Sequence, residues 1–196
     1  MKEIIIASSN EGKVSEIKEI FAGLDLKIFS LKDFEHVPEI IEDGNSFEAN
    51  ARIKAHIVFE KYKIPAIGDD SGLAVDQLDG RPGIYSARYS GENATYASNN
   101  EKLLKELSVF PEPHFAKFVC TAVYFDGTSD ICKTGEIKGQ IIKVPRGTNG
   151  FGYDPVFVPE QYSKTLAELT ADEKNKISHR AKAFGEMKDV FKKILL

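Results

Sequence analysis

The sequence predicts an α/β fold built on a mixed β-sheet, and three observations carry that prediction. The apolar run from Lys2 to Ala7 ends in the polar turn Ser8-Ser9-Asn10-Glu11-Gly12 and leads into residues spaced for a helix. Two strand-like segments, Phe115 to Phe125 and Asp130 to Ile142, alternate loosely around Asp126-Gly127 as a hairpin does. A last helix is marked by Phe184, Met187, Phe191 and Ile194, three or four residues apart. The order βαβα, then ββ, then α belongs to an α/β protein with a mixed sheet.

Taken in order, Lys2 to Ala7 reads as a short buried strand. The helix after it follows Val14, Ile17, Phe21 and Leu24, with Ser9 or Asn10 as its cap and Gly23 closing it. A second helix runs from about Ser46 to Lys63, with Phe47, Ala51, Ala55, Val58 and Tyr62 on one face and Asn45 with Glu48 resembling a capping box. Pro65 to Gly68 and Leu73 to Leu78 read as two strands around a polar turn, Asp69-Asp70-Ser71-Gly72. Thr95 to Leu107 forms a third helix, and Pro111-Glu112-Pro113 is the candidate linker between lobes. The final helix starts near Ser178, whose hydroxyl suits an N-cap.

Composition narrows the function. With 196 residues, 42% of them apolar and 29% charged, the chain can bury about 70% of its surface in one core without staples. Disorder is excluded. A net charge of −4 argues against sequence-independent nucleic-acid binding, which needs a basic surface. Nothing approaches a membrane span, and the first ten residues hold too short an apolar run for a signal peptide. Cys120 and Cys132 form neither a CxxC pair nor a zinc cage, so they read as buried thiols of a reducing, cytoplasmic compartment.

Four segments carry possible chemistry. Ser8, Ser9, Asn10, Glu11, Gly12 and Lys13 join a strand to a helix N-terminus, where free backbone N–H groups and a positive dipole end suit phosphate. This is no Walker A loop, and alone it equally describes a capped helix start. Asp69-Asp70, with Glu42-Asp43-Gly44 upstream, follows an apolar strand; such carboxylates recruit Mg²⁺ or simply form a solvated turn. Gly147 to Pro155 holds three glycines in six positions and an aromatic, Phe151, fit to stack on a base or to fill a turn. Lys174, Lys176, His179 and Arg180 gather cations around a helix start, a misfit with the dipole that an anion would relieve. Lys54 lines either a cleft or a solvated helix face. His36, His56 and His114 have no partnered nucleophile, which removes a Ser-His-Asp reading.

Together, SSNEGK (8–13), EDGNSFEANA (42–51), DDSGLAVD (69–76), PGIYSARYSG (82–91), GFGYDPVF (150–157) and AELTADEKNKISHR (167–180) resemble the inosine triphosphate pyrophosphatase family. The resemblance runs from Ile4 to about Phe184, with Ser8-Ser9 standing where Thr-Gly is frequent. It implies an elongated two-lobed α/β fold around a long mixed sheet, with an active-site cleft between the lobes of a single 1–196 domain, and a homodimer. It implies hydrolysis of ITP, dITP and XTP to the monophosphate and pyrophosphate, with Mg²⁺ as cofactor. Carried over by position, phosphate binding falls on Ser8 to Lys13, magnesium on Glu42 and Asp70, and the general base on Asp70. Ser71 matches a substrate contact; Lys54, outside the carried-over positions, is a substrate-binding candidate on its helix position, seven residues after Phe47. Phe151, Gly152, Tyr153 and Asp154 match the base-binding loop, while Lys174, His179 and Arg180 match groups that hold phosphate and the purine edge. The rival readings are a pyrophosphatase for modified pyrimidine nucleotides and a nucleotide sensor without turnover.

Overall fold

A computed structural model describes residues 2–195, with side chains through Lys193. The strands are β1 (Lys2–Ile6), β2 (Leu26–Ser30), β3 (Ala66–Val75), β4 (His114–Phe125), β5 (Asp130–Ile141) and β6 (Phe157–Pro159). The helices are α1 (Glu11–Ile20), α2 (Phe47–Tyr62), α3 (Tyr96–Leu107), α4 (Ala171–Ile177) and α5 (His179–Leu195). One sheet takes the strands in the order β2-β1-β3-β4-β5-β6. β1 pairs in parallel with β2 and β3, and β5 pairs antiparallel with β6, so the sheet is mixed as expected. The chain divides into two compact units: Met1–Asp70 with Cys120–Gly135 and Arg180–Leu196, and Ser71–Val119 with Glu136–His179.

The first unit owes its layers to strand alternation. Ile4 and Ile6 of β1 and Ile67 of β3 pack in one buried cluster with Val14 and Ile17 of α1 and with Phe184, Met187 and Phe191 of α5. Ile5 and Ala66, one residue out of phase, pack instead in a cluster with Val58 of α2. Successive strand residues face opposite sides, so helices cover both faces here. Ile194 lies within α5, but its side chain is outside the described residues. The second unit has its own core, in which Leu73 and Val75 of β3 meet Leu103 and Leu107 of α3, Phe118 of β4, Ile137 of β5 and Phe157 of β6.

Three expectations are corrected, and three elements were not foreseen. Asp69 to Gly72 form no turn: β3 runs unbroken through them, because the buried charges are satisfied by helices rather than by water. Pro111-Glu112-Pro113 lies inside the second unit, and the chain passes between units within β3, β4 and β5 and at His179–Arg180. Ser46 caps α2 by accepting from the Ala49 N–H, displacing the Asn45 box. The last helix, α5, begins at His179, directly after Ser178 as expected, but a separate helix, α4, capped by Thr170, precedes it. The strands β2 and β6 have no counterpart in the sequence reading; they are five and three residues long, too short for a clear period.

Candidate active site

β3 is the element that distributes the charge. Asp69 shares the face of Ile67 and meets α1 and α5, whereas Asp70 shares the face of Ala66 and Gly68 and meets α2. Gly68 makes the second approach possible: a Cβ there would lie 2.0 Å from the Ala51 carbonyl oxygen, so only glycine lets α2 sit this close. That contact delivers Asn50 and Lys54, one helical turn apart, to Asp70.

On its face, the Asp69 carboxylate is fully enclosed, with Lys13 Nζ at 3.0 Å and Arg180 Nη2 at 3.8 Å. Arg180, 1% exposed, also donates to Glu16 Oε2 at 2.5 Å. Burial alone would raise the Asp69 pKa, but the charges of Lys13 and Arg180 outweigh it and hold the group down to about 2. Lys13 sits in the first turn of α1, where its N–H donates to the Asn10 cap at 3.2 Å and the Ser8 hydroxyl accepts from the Asn10 N–H. Glu11 points outward to an ion pair with Lys32, Ser9 is exposed, and Gly12 lies within the helix.

On the other face, Asp70 Oδ2 accepts from Asn50 Nδ2 at 3.0 Å. Asn50 Oδ1 accepts from the Gly44 N–H at 2.9 Å, which ties the Glu42-Asp43-Gly44 segment to the aspartate. Lys54 is buried, and its Nζ donates to the Asp69 carbonyl at 3.0 Å. The same ammonium lies 2.8 Å from Glu42 Oε2 and 3.5 Å from Asp70 Oδ1. Burial pushes the Asp70 pKa above the ordinary aspartate value, and Lys54 and Asn50 offset this only in part. For Lys54 the balance is reversed: burial would lower its pKa, but Asp70, Asp69 and Glu42 raise it, so the ammonium stays charged.

The second unit builds a different cluster. Asp154 Oδ2 accepts from the Phe151 N–H and from Lys174 Nζ, both at 2.8 Å, and Lys174 Nζ lies 4.7 Å from the centre of the Phe151 ring. Gly150 has φ +75°, and a Cβ there would stand 2.1 Å from Asp154 Oδ2, so the loop closes only around glycine. Asn100 of α3 donates to the Gly152 carbonyl at 2.8 Å, and the buried Tyr153 hydroxyl donates to the Ser86 carbonyl at 2.9 Å. Tyr96 brings a second aromatic ring within 6.2 Å of Phe151. His179 is stacked on Phe118 with centroids 4.8 Å apart, and Ser71, the next residue of β3 after Asp70, is half-buried.

The first unit thus brings together Lys13, Glu42, Lys54, Asp70 and Arg180 of the predicted residues, and the second brings together Phe151, Asp154 and Lys174. Arg180 is placed against two carboxylates, Glu16 and Asp69. Lys174 belongs to α4 rather than to the start of the last helix. Sequence reasoning missed Glu16, Asn50 and Asn100, and it named Asp69 only as half of a carboxylate doublet. Glu16 and Asn50 were signalled by helical spacing, three residues after Lys13 and four before Lys54, and Asp69 by alternation once β3 is continuous. Among the described residues no helix can cross a membrane and no group of three or more His, Cys, Asp or Glu could hold a metal ion. Cys120 and Cys132 are free, and burial pushes the Cys120 thiol up to about 12.

Fold and site define an α/β protein with an ion-paired carboxylate–lysine centre beside a strand-to-helix loop, the equipment of an enzyme for anionic substrates. The Ham1 family model matches residues 4–190, and the chain belongs to that family. It is 48% identical over 191 residues to a dITP/XTP pyrophosphatase of Geobacter sulfurreducens, covering 96% of each chain. A HAM1 protein from Coxiella burnetii has a similar structure, with TM-score 0.91, 38% identity and coverage of 98% of this chain and 100% of that one. A nucleoside-triphosphatase / dITP/XTP pyrophosphatase from Mycobacterium abscessus superposes with TM-score 0.76 at 39% identity, covering 94% of this chain and 97% of that one.

Proposed function

We propose that this chain hydrolyses the non-standard purine nucleotides dITP, XTP and ITP to the monophosphate and pyrophosphate. The relatives from Geobacter and Mycobacterium are named for dITP and XTP, and ITP is added from the family resemblance. The observation that carries the catalytic assignment is the geometry of the β3 doublet, with Asp69 enclosed by Lys13 and Arg180 while Asp70 and Glu42 meet around Lys54, and their pKa values shift in opposite directions. Two carboxylates whose surroundings drive their pKa values apart have separate roles. Asp70 is the general base, accepting a proton from the attacking water. Asp69 is an anchoring anion that fixes Lys13 in the first turn of α1, where ammonium and helix N–H groups meet phosphate oxygens. Lys54 adds a second buried ammonium for the same oxygens.

The donor set suits Mg²⁺, because Glu42 and Asp70 converge on one cationic atom, Lys54 Nζ, and Mg²⁺ takes one or two carboxylates with substrate phosphates rather than a full protein cage. Bound by Glu42 and Asp70, it would neutralise charge on the transferring phosphate. In the second unit Phe151 offers the base a stacking face, and Gly152, Tyr153, Asp154 and Lys174 shape and charge that seat, with His179, stacked on Phe118, as a further substrate contact. The proposal includes the homodimer and the cytoplasmic setting that the family resemblance implies; sedimentation equilibrium giving a monomer would remove the first. A pyrophosphate-release assay over ITP, XTP, dITP, ATP, GTP and dUTP, with and without Mg²⁺, tests the whole reading. Release from the first three with Mg²⁺ present supports it, whereas release from dUTP alone, or tight binding without release, overturns it.

A further inference from the structure

The geometry points to Lys54 as an internal stand-in for the metal, a buried ammonium that holds Glu42 and Asp70 together and keeps a divalent cation out until a nucleotide draws it away. This rests on the proposed metal role of those two carboxylates.

Three oxygens surround the Lys54 nitrogen: Glu42 Oε2 at 2.8 Å, the Asp69 carbonyl at 3.0 Å and Asp70 Oδ1 at 3.5 Å. The other oxygen of Asp70 is taken by Asn50 Nδ2. A dication reaching for Glu42 and Asp70 therefore meets a fixed positive charge within hydrogen-bond range of one and ion-pair range of the other. Repulsion between the two cations is strong at such separations where water is scarce. Nor can the ammonium relax into solvent, since Lys54 is 7% exposed and its stem is packed in α2.

Polyphosphate changes the balance. Its oxygens give the ammonium new partners and give the cation new ligands, so one event removes the competitor and completes the coordination shell. Metal and nucleotide then bind with positive coupling, each raising the affinity for the other by the same factor. The carboxylates meanwhile stay paired and ordered in the empty enzyme, which avoids leaving two buried anions uncompensated.

The test uses Mn²⁺ alone on the full chain, followed by the electron paramagnetic resonance signal of the free ion, and repeats the titration with the α,β-imido analogue of ITP. In the wild-type chain, Mn²⁺ alone binds weakly and the analogue tightens it strongly. Lys54→Met, an apolar side chain of similar length, binds Mn²⁺ alone at least about tenfold more tightly, and the analogue adds correspondingly less. Lys54→Arg keeps the charge and stays as weak as wild type. Unchanged or weaker Mn²⁺ binding in Lys54→Met overturns the inference, as does tight binding in Lys54→Arg. Glu42→Gln and Asp70→Asn separate this from the metal assignment itself. If both retain Mn²⁺ in the analogue complex, the carboxylates are not its ligands and the reading beneath has failed. If both lose it while Lys54→Met binds Mn²⁺ as wild type does, only the role given to Lys54 has failed.

Discussion

Asp69 and Asp70 carry the same side chain on consecutive residues of one strand, yet the fold gives them opposite chemistry. On the face of β3 toward α1 and α5, Asp69 is sealed between an ammonium and a guanidinium and stays ionised to about pH 2. On the face toward α2, Asp70 accepts from the Asn50 amide and lies 3.5 Å from an ammonium that sits closer to Glu42, and burial raises its pKa. The difference lies in which helices each face recruits. A carboxylate with full countercharge is a structural anion; one with partial countercharge holds a proton more readily and sits closer to the working range of a base.

The sharpest way to break this comparison is to neutralise each side in turn. Asp70→Asn keeps the shape, removes the proton acceptor and should lower kcat by at least about 10³-fold with Tm little changed, since a general base contributes about 10²–10⁴-fold. Most of the activity surviving in this variant would move the base elsewhere. Asp69→Asn should act on the fold instead, costing about 3–5 kcal/mol in urea unfolding, because Lys13 and Arg180 lose their shared buried anion. A loss below about 1 kcal/mol would mean that Asp69 is no anchor.

Acid sharpens the same contrast. The folded pKa of Asp69 lies below its unfolded value, so its contribution is complete above about pH 4 and is lost as pH falls toward 2. Roughly 2–3 kcal/mol should disappear across that window, and urea unfolding at about pH 6 and about pH 3 should show a smaller drop in Asp69→Asn than in wild type. Asp70 runs the other way: its folded pKa is raised, so activity should fall with pH before the fold does.

The smallest effect belongs to the second unit, where the cluster is built for contact rather than charge transfer. Phe151→Ala should weaken nucleotide binding by about 1–3 kcal/mol, nearly equally for ITP and ATP, since any purine offers a face. A change in the ITP-to-ATP ratio of KM values would show that the ring discriminates.

How much of this could be read from the chain depends on the kind of signal. Local patterning placed α1, α2 and α3 to within a few residues, and the Asn10 cap of α1 was read correctly, because side-chain period and N-cap chemistry are both local. Asp69-Asp70-Ser71-Gly72 misled for the same reason: two acids and a glycine have turn chemistry in isolation, and only Lys13, Arg180, Asn50 and Lys54, distant in sequence, make them a strand. Arg180 was found and its partners were not, since Glu16 lies 164 positions away. The loop around Phe151 was legible as a loop, but the Asn100 amide that holds it, 52 positions from Gly152, was not.

The most direct measurement is the titration of the two carboxyl groups themselves, by carbon NMR of the chain labelled in its aspartate side chains, with Asp69→Asn and Asp70→Asn to assign the signals. The account predicts that Asp69 titrates near 2 and Asp70 above the ordinary aspartate value, in the same metal-free sample. Two aspartates titrating together, or Asp70 below Asp69, would contradict the division of roles on which the proposed chemistry stands.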